Sequence, residues 1–525
     1  MPSLPVDRPR HLRAAVLALL TPCLLLAACS SSDSSIASPA QPAPAAPSPS
    51  PTTPSPADAV RQENTLPGDP SWRTAVKRAT DPTAISGYAD KSAVDPGEPV
   101  RLFVSTTADR YTVTAYRMGW YGGDRARRIW RSAPQRGTVQ DDAGYIAATR
   151  THYAKWDPTT TLDTADWPPG MYLLRLAGDA GREWLVPLVV RSPDAEGRVV
   201  FLMADLTWQA YNEWGGRSSY TGPGAREDRS RAVSFSRPYA NGSGAGKFLG
   251  YENPVVALAE KAGIPVSYVA TSDLADGDDR PLAGAEGIVS LGHNEYWTVA
   301  EREAVTKARD GGTDLAFLGA NTMYWRTRLE PGPQGMPLEV IHKDTDDPVD
   351  GPETTVRFRD EPNARPERSL VGMDYECYPA TGRYTVTSRD FFLFDGLAPR
   401  APLTDLVAVE VDRAYPLPGT PKSLQIVANS PTDCAGVPTV STSTYYDTAS
   451  GAGVFATGTM GWVLNGMRPG SPRDTRQFVR AVTSRLLERM LDGPLGERYP
   501  SRPNLDRFEL GAQNTTGTVE PPLRR

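Results

Sequence analysis

The sequence predicts a multidomain β plus α/β protein: an N-terminal Ig-like β-sandwich, then a flavodoxin-like parallel α/β domain carrying a β-rich insertion. Three observations predict it. The 525 residues suffice for two or three domains at about 100 to 200 residues each. From about residue 80 to 192, short apolar runs are divided by turn residues. From residue 198, apolar runs of strand length alternate instead with helical patterns.

In the first region the strand candidates are 100–105, 111–117, 128–130, 171–176 and 183–190, and several short strands with turn signals between them indicate a sandwich. In the second, strand candidates at 199–203, 265–269, 287–291, 315–318 and 453–456 accompany helical patterns at 254–262, 299–310 and 474–491. Strands alternating with helices imply a parallel sheet, here within residues 197–495. Between residues 327 and 446 the helix signal disappears while Pro, Asp and Thr accumulate, which marks the β-rich insertion. The chain has no internal repeat.

The start of the chain carries an address. Arg8, Arg10 and Arg13 precede an apolar run over 14–28, too short to span a bilayer, that ends in Leu26-Ala27-Ala28-Cys29-Ser30. Residues 1–28 are therefore predicted to be a lipoprotein signal peptide and Cys29 the lipidated residue, so that the protein sits outside the cytoplasm on the cell membrane. Residues 29–60 are a Ser/Pro/Ala-rich tether with almost nothing to bury, and 496–525 a C-terminal tail. The leader takes a net +2 with it, turning a chain of −6 into a mature one of −8. Without a basic excess to neutralise phosphates, a general nucleic-acid binder is excluded. The mature chain keeps Cys377 and Cys434, which an oxidising compartment would pair as a disulfide. With no CxxC and three mature His, cysteine and multi-histidine zinc sites are excluded.

Open α/β sheets bind ligands outside the carboxyl ends of their strands. After 199–203 comes Asp205 to Gly216 with Tyr211 in AYNEWGG; after 287–291 comes GHNEYW with His293 and Glu295; after 315–318 comes GANTMYWR with Asn321. Taken singly, Glu295 also reads as a carboxylate at a helix start and Asn321 as an Asx-turn. Their convergence at one sheet edge favours a site. Trp208, Trp214, Trp297 and Trp325 read as pocket wall or core. The segment NGSGAGKF at 241–248 fails as a phosphate loop, because Asn241 stands for the first Gly and Phe248 for the magnesium-binding Ser or Thr. No GxSxG elbow and no HExxH helix exists, which argues against ordinary serine hydrolases and zinc proteases.

Read in order, VDPGEPVRLFVS, YRMGWYGGDRARRI, WPPGMYLLRL, AYNEWGG, VSFSRPY, SLGHNEYW, FLGANTMYWR, VEVDR and GVFATGTMGW resemble the catalytic region of the N,N-dimethylformamidase large (beta) subunit, from about Val94 to Leu491. The resemblance implies hydrolysis of a small unactivated amide at a mononuclear, ferric iron held by two tyrosines and a glutamate. It implies Glu295 and Tyr211 as metal ligands, with Tyr172 or Tyr239 as the second tyrosine, Tyr172 being preferred. It also implies His293 and Asn321 as the polar pair beside the metal and Glu410 as the catalytic acid, with Asp412 and Asp447 as alternatives. Phenolate and carboxylate are hard anionic donors, which suit ferric iron better than zinc. The family's enzyme is cytoplasmic and has a small partner subunit, whereas this chain carries an export signal. The expected partners are a small amide-like molecule and a membrane reached through the lipid, with no nucleic acid; a homo-oligomer is compatible. The competing reading is a non-catalytic envelope protein that binds a glycan or peptide on the same scaffold.

Overall fold

The computed structural model describes residues 54–508 apart from 79–81, 141, 142, 180, 225, 241 and 345. The expected signal peptide, Cys29, most of the tether, Asn241 and the tail from residue 509 lie outside the described residues. Among those described, no helix is long and apolar enough to cross a membrane.

Residues 85–190 form a β-sandwich. One sheet joins Ile85–Ala89, Val100–Thr106 and Thr160–Leu162; the other runs Ala93–Val94, Glu183–Val190, Gly170–Gly178, Arg110–Met118 and Ala126–Arg131. Alternation along Gly170–Gly178 explains its unbroken apolar run. Tyr172, Leu174 and Leu176 point into the sandwich core, while Met171 and Leu173 join the core of the following domain. The sheet is thus buried on both faces. A buried ion pair, Arg117 to Glu260 at 2.8 Å, ties it to helix Asn253–Ala262.

Five parallel strands follow in spatial order Val266–Ala270, Val199–Met203, Gly287–Gly292, Asp314–Gly319 and Gly453–Ala456. All are fully buried, as continuous Val, Ile, Leu and Phe runs require. The β-rich insertion lies within the α/β domain, as expected from the sequence, and it extends the same sheet. Gly453–Ala456 pairs antiparallel with Val437–Asp447, and Gln425–Cys434, Asp374–Tyr384 and Leu403–Arg413 continue the same sheet to nine strands. The insertion completes the sheet edge because the last parallel strand has a free ladder on one side. The remaining inserted strands, Trp325–Pro331 and Pro337–Val340, join Ala232–Ser234 and Tyr296–Thr298 in a small sheet above the strand ends.

Cys377 and Cys434 form a disulfide with a Cα separation of 6.2 Å, linking Asp374–Tyr384 to its neighbour Gln425–Cys434. Two expected boundaries shift. The tether does not extend to residue 60, because helix Pro56–Glu63 starts there, with Ser55 accepting from the Asp58 N–H and Pro56 at a first-turn position. Residues 496–508 are not a loose tail either: the Asn504 side chain pairs with both backbone groups of Ile426, and Ser501 binds Asp447.

Candidate active site

The small sheet covers the carboxyl edge of the parallel strands, and the site lies between them. Gly292 and Gly319 end two adjacent strands so closely that a Cβ on Gly319 would stand 2.0 Å from the Gly292 carbonyl oxygen. Gly292 also has a φ of 56°. Glycine at both positions lets the two loops leave the sheet side by side. Helix Asp205–Ala210 follows the neighbouring strand, and Thr207 on it accepts hydrogen bonds from the backbone N–H of Glu295 and Tyr296. The 293–296 loop is thereby fixed against that helix, and Tyr211 is the helix's C-terminal cap.

These elements bring two phenols onto one carboxylate. Tyr211 donates to Glu295 Oε2 at 2.7 Å, Tyr220 donates to Oε1 at 2.5 Å, and the two hydroxyls are 3.2 Å apart. His293 Nε2 lies 3.3 Å from Glu295 and 3.6 Å from Glu410. Asn321 sits at the next strand end with φ 56°, its backbone N–H bound to Asp412. Two cations stand over the phenols: the Lys247 ammonium is 3.7 Å from the centre of the Tyr211 ring and that of Lys343 is 3.3 Å from the Tyr220 ring.

Burial, and then the Glu295 charge, push both phenols well above their ordinary pKa, so both are neutral donors here. For Glu295 burial works against ionisation, but His293, Lys343 and the Tyr211 hydrogen bond hold its carboxyl below the usual range. Burial and then the Glu295 charge drive Glu410 well above it. The two nearby carboxyls are therefore pushed in opposite directions, the arrangement acid–base chemistry uses. Burial lowers His293, and it brings Lys247 down to about 8.

A slit lined by Trp208, Tyr239, Phe248 and Pro187 leads to Tyr211 and Lys247. Its ≈ 20 Å³ of free space holds about one water molecule. Pro187 belongs to the sandwich, so the first domain forms part of the wall.

Of the residues singled out from sequence, Tyr211, Glu295, His293, Asn321 and Glu410 are brought together. Tyr172 is not. It lies in the sandwich core, stacked on Trp167 with its hydroxyl donated to the Pro168 carbonyl at 2.6 Å. A regular strand paired on both sides gives it no access to Glu295. Tyr239 lines the slit, its ring edge-on to Trp208, and the phenols that hydrogen-bond to Glu295 are Tyr211 and Tyr220. Asp412 supports Asn321 from behind, and Asp447 lies elsewhere, accepting from Ser501. Sequence reasoning missed Tyr220, Lys247 and Lys343. Tyr220 follows Tyr211 by nine residues through a Gly-Gly turn at Trp214–Gly216. Lys247 belongs to the NGSGAGKF loop that failed as a phosphate loop.

A family model described as N,N-dimethylformamidase beta subunit-like, C-terminal, matches residues 112–471. The chain belongs to that family. The match spans most of the sandwich, the parallel strands and every residue of the cluster. No curated protein matches the chain. Among solved structures it is similar to a Paenibacillus sp. cycloisomaltooligosaccharide glucanotransferase complexed with cycloisomaltoheptaose, at 10% identity and a TM-score of 0.17. That likeness covers 57% of this chain and 61% of the other and carries no argument. Membership of the dimethylformamidase-like family points to a hydrolase of C–N bonds.

Among the described residues, no group of three or more His, Cys, Asp and Glu side chains is arranged to hold a metal. Any cation at this cluster would depend on the phenol oxygens. The donor set fits one. Three oxygens converge, and both phenol protons are directed at a single carboxylate that would carry the negative charge alone. Glu410 Oε2 and Asn321 Oδ1, both buried, have no hydrogen-bond partner. Loss of the two protons would leave three adjoining anions, which a hard multivalent cation compensates.

Proposed function

We propose that the protein is an exported, lipid-anchored amide hydrolase whose site holds a single iron ion through Tyr211, Tyr220 and Glu295. The observation that carries this reading is the pair of phenols converging on the Glu295 carboxylate inside the family's matched region. When bound, the ion supplies Lewis-acid polarisation of an amide carbonyl.

The chain's own residues supply the rest. The aromatic walls of the slit suit a small, weakly polar molecule once the slit widens beyond its one-water width, and they exclude bulk water, which strengthens every charge interaction inside. Asn321 and His293 flank the cluster as hydrogen-bonding groups that orient the amide. Glu410, held protonated by burial beside Glu295, is the group that carries a proton to the leaving amine, and its conjugate base takes one from water. Lys247, facing Tyr211 across the slit, adds positive potential where the carbonyl oxygen gains charge.

Export and anchoring rest on the apolar leader ending at Cys29, and the Cys377–Cys434 disulfide is of a kind that persists in oxidising compartments. We also read the sandwich as Ig-like and the parallel half of the nine-stranded sheet as flavodoxin-like, since its strands follow the order 2-1-3-4-5 of that class.

The test is elemental analysis and a visible spectrum of the purified protein beside Tyr211→Phe, Tyr220→Phe and Glu295→Ala. Iron near one per chain, with a phenolate-to-ferric charge-transfer band that each tyrosine substitution shifts or abolishes, is the expected result. A folded, colourless protein that takes up no metal on reconstitution overturns the reading and leaves an envelope binding protein on this scaffold.

A further inference from the structure

A groove of ≈ 1230 Å³ lies between helix Arg473–Met490, the segment 396–404 and helix Asn253–Ala262. Its rim carries five exposed cations, Lys261, Arg383, Arg400, Arg473 and Arg480, against the single carboxylate of Asp474. None of the five joins an ion pair among the described residues. Lys261 only overlies the Trp120 ring at 4.6 Å, and Arg383 only reaches the Pro402 carbonyl at 3.5 Å. In a chain of net charge −6 this concentration runs against the composition. The repulsion is felt nearby: burial, and then Arg480 and Arg73, hold the Arg125 guanidinium below its ordinary pKa.

The floor of the groove is apolar, formed by Leu258, Leu397, Pro399 and Leu403. A cationic rim over an apolar floor matches a phospholipid, with phosphate at the rim and glycerol and acyl carbons below. A soluble polyanion would satisfy the rim and leave the floor wet. The first described helix also joins the body beside this groove. Asn64, the cap of Pro56–Glu63, donates to Glu260 and accepts the N–H of Trp120, the residue under Lys261. The C-terminal end of that helix is thus attached at the groove's edge.

We propose that this groove docks an anionic phospholipid of the membrane surface and so fixes which face of the body lies against the membrane. The acidic remainder is repelled from an anionic bilayer, so the groove is the face that approaches. The inference rests on the exported, lipid-anchored part of the proposed function and not on the hydrolase part.

The test uses the mature, acyl-free chain (Cys29→Ser) and vesicle co-sedimentation. Vesicles of phosphatidylglycerol in phosphatidylcholine are compared with phosphatidylcholine alone, at low and high salt. Binding to the anionic vesicles only, reversed by salt, is expected. In the triple variant Arg400→Glu, Arg473→Glu and Arg480→Glu it should fall on the order of a hundredfold. The single Arg400→Glu should give a smaller loss, and a control triple on the sandwich, Arg110→Glu, Arg131→Glu and Arg136→Glu, should retain binding. Equal partition onto both vesicles, or binding kept by the groove variants, overturns the proposal. So does binding of glycerol 3-phosphate without any vesicle partition, which would make the groove a site for soluble phosphates.

Discussion

Tyr172 and the pair Tyr211 and Tyr220 are the same residue type in two opposite settings. Tyr172 sits mid-strand in the sandwich, stacked on Trp167, its hydroxyl spent on a backbone carbonyl four residues upstream. Tyr211 and Tyr220 leave the end of a parallel strand, and their hydroxyls meet a carboxylate from another loop. In the first setting a phenol is an apolar ring with one polar atom to satisfy. In the second, two rings exist to bring two acidic protons to one place, each held by interactions that burial alone would disfavour. A tyrosine's role here is decided by whether its element continues or ends.

Removal of the loop hydroxyls should have the largest effect. Tyr220→Phe and Tyr211→Phe should each lose bound iron and lower turnover by at least about a hundredfold, since even groups behind a metal's direct ligands cost 10- to 100-fold. Iron content and the visible band read the loss directly. Glu410→Gln should come next. It keeps the shape and the iron but cannot exchange a proton, and a drop in kcat of about 10² to 10⁴ at unchanged metal content is expected. An unchanged kcat would remove Glu410 from the proton path.

How far the sequence could show this can be judged from individual residues. The strands at 199–203, 287–292 and 314–319 were legible because buried parallel strands are unbroken apolar runs. Their polar ends, with Tyr211, Glu295 and Asn321, followed from the rule that ligands bind at those ends. Glu410 came only from the family resemblance: it lies in an antiparallel strand that no local pattern ties to the edge. Tyr220 was hidden because a Gly-Gly turn, with Gly215 at φ 80° and Gly216 at φ 83°, folds it back onto Tyr211. No spacing rule for helix or strand describes such a return. Tyr172 misled because its motif belongs to the family's sandwich, where a strand's alternation fixes it inward. Lys247 was set aside with its loop, yet Gly244 at φ 88° presses that loop onto Leu185 and Trp184 and so carries Lys247 to the slit. The nine-stranded sheet was illegible because pairing partners across the insertion are set by tertiary contact.

Away from the site, the disulfide separates stability from chemistry. Cys377 and Cys434 are 57 residues apart, and closing a loop of that length removes unfolded-state freedom equivalent to about 4 kcal/mol. Replacing both with Ser should lower stability by about 2–4 kcal/mol in a denaturant titration. The iron content should remain unchanged.

Glu252 gives a pH test of the slit wall. It accepts from the Trp208 indole N–H and the Ala204 N–H, and burial raises its pKa from 4.5 to about 8. In the unfolded chain it ionises near 4.5 while the folded chain keeps it neutral. Stability from this group is therefore full below pH 4.5, falls as pH rises towards 8, and levels off above it. Glu252→Gln, which never ionises, should flatten that decline by about 1.4 kcal/mol per pH unit across the window. Melting temperature against pH from 5 to 8 reads the difference.

Tyr172→Phe is the smallest effect and the control for the first. The ring keeps its stacking on Trp167, so no cavity opens. Only the hydroxyl is lost, leaving the half-buried Pro168 carbonyl without that donor, which costs about 1 kcal/mol or less. The visible band, iron content and kcat should all stay at wild-type values, because the strand carrying Tyr172 reaches the slit only through its neighbour's Pro187. A band lost in Tyr172→Phe but kept in Tyr220→Phe would reverse the assignment of the second phenol and with it the contrast between a tyrosine inside a strand and one beyond its end.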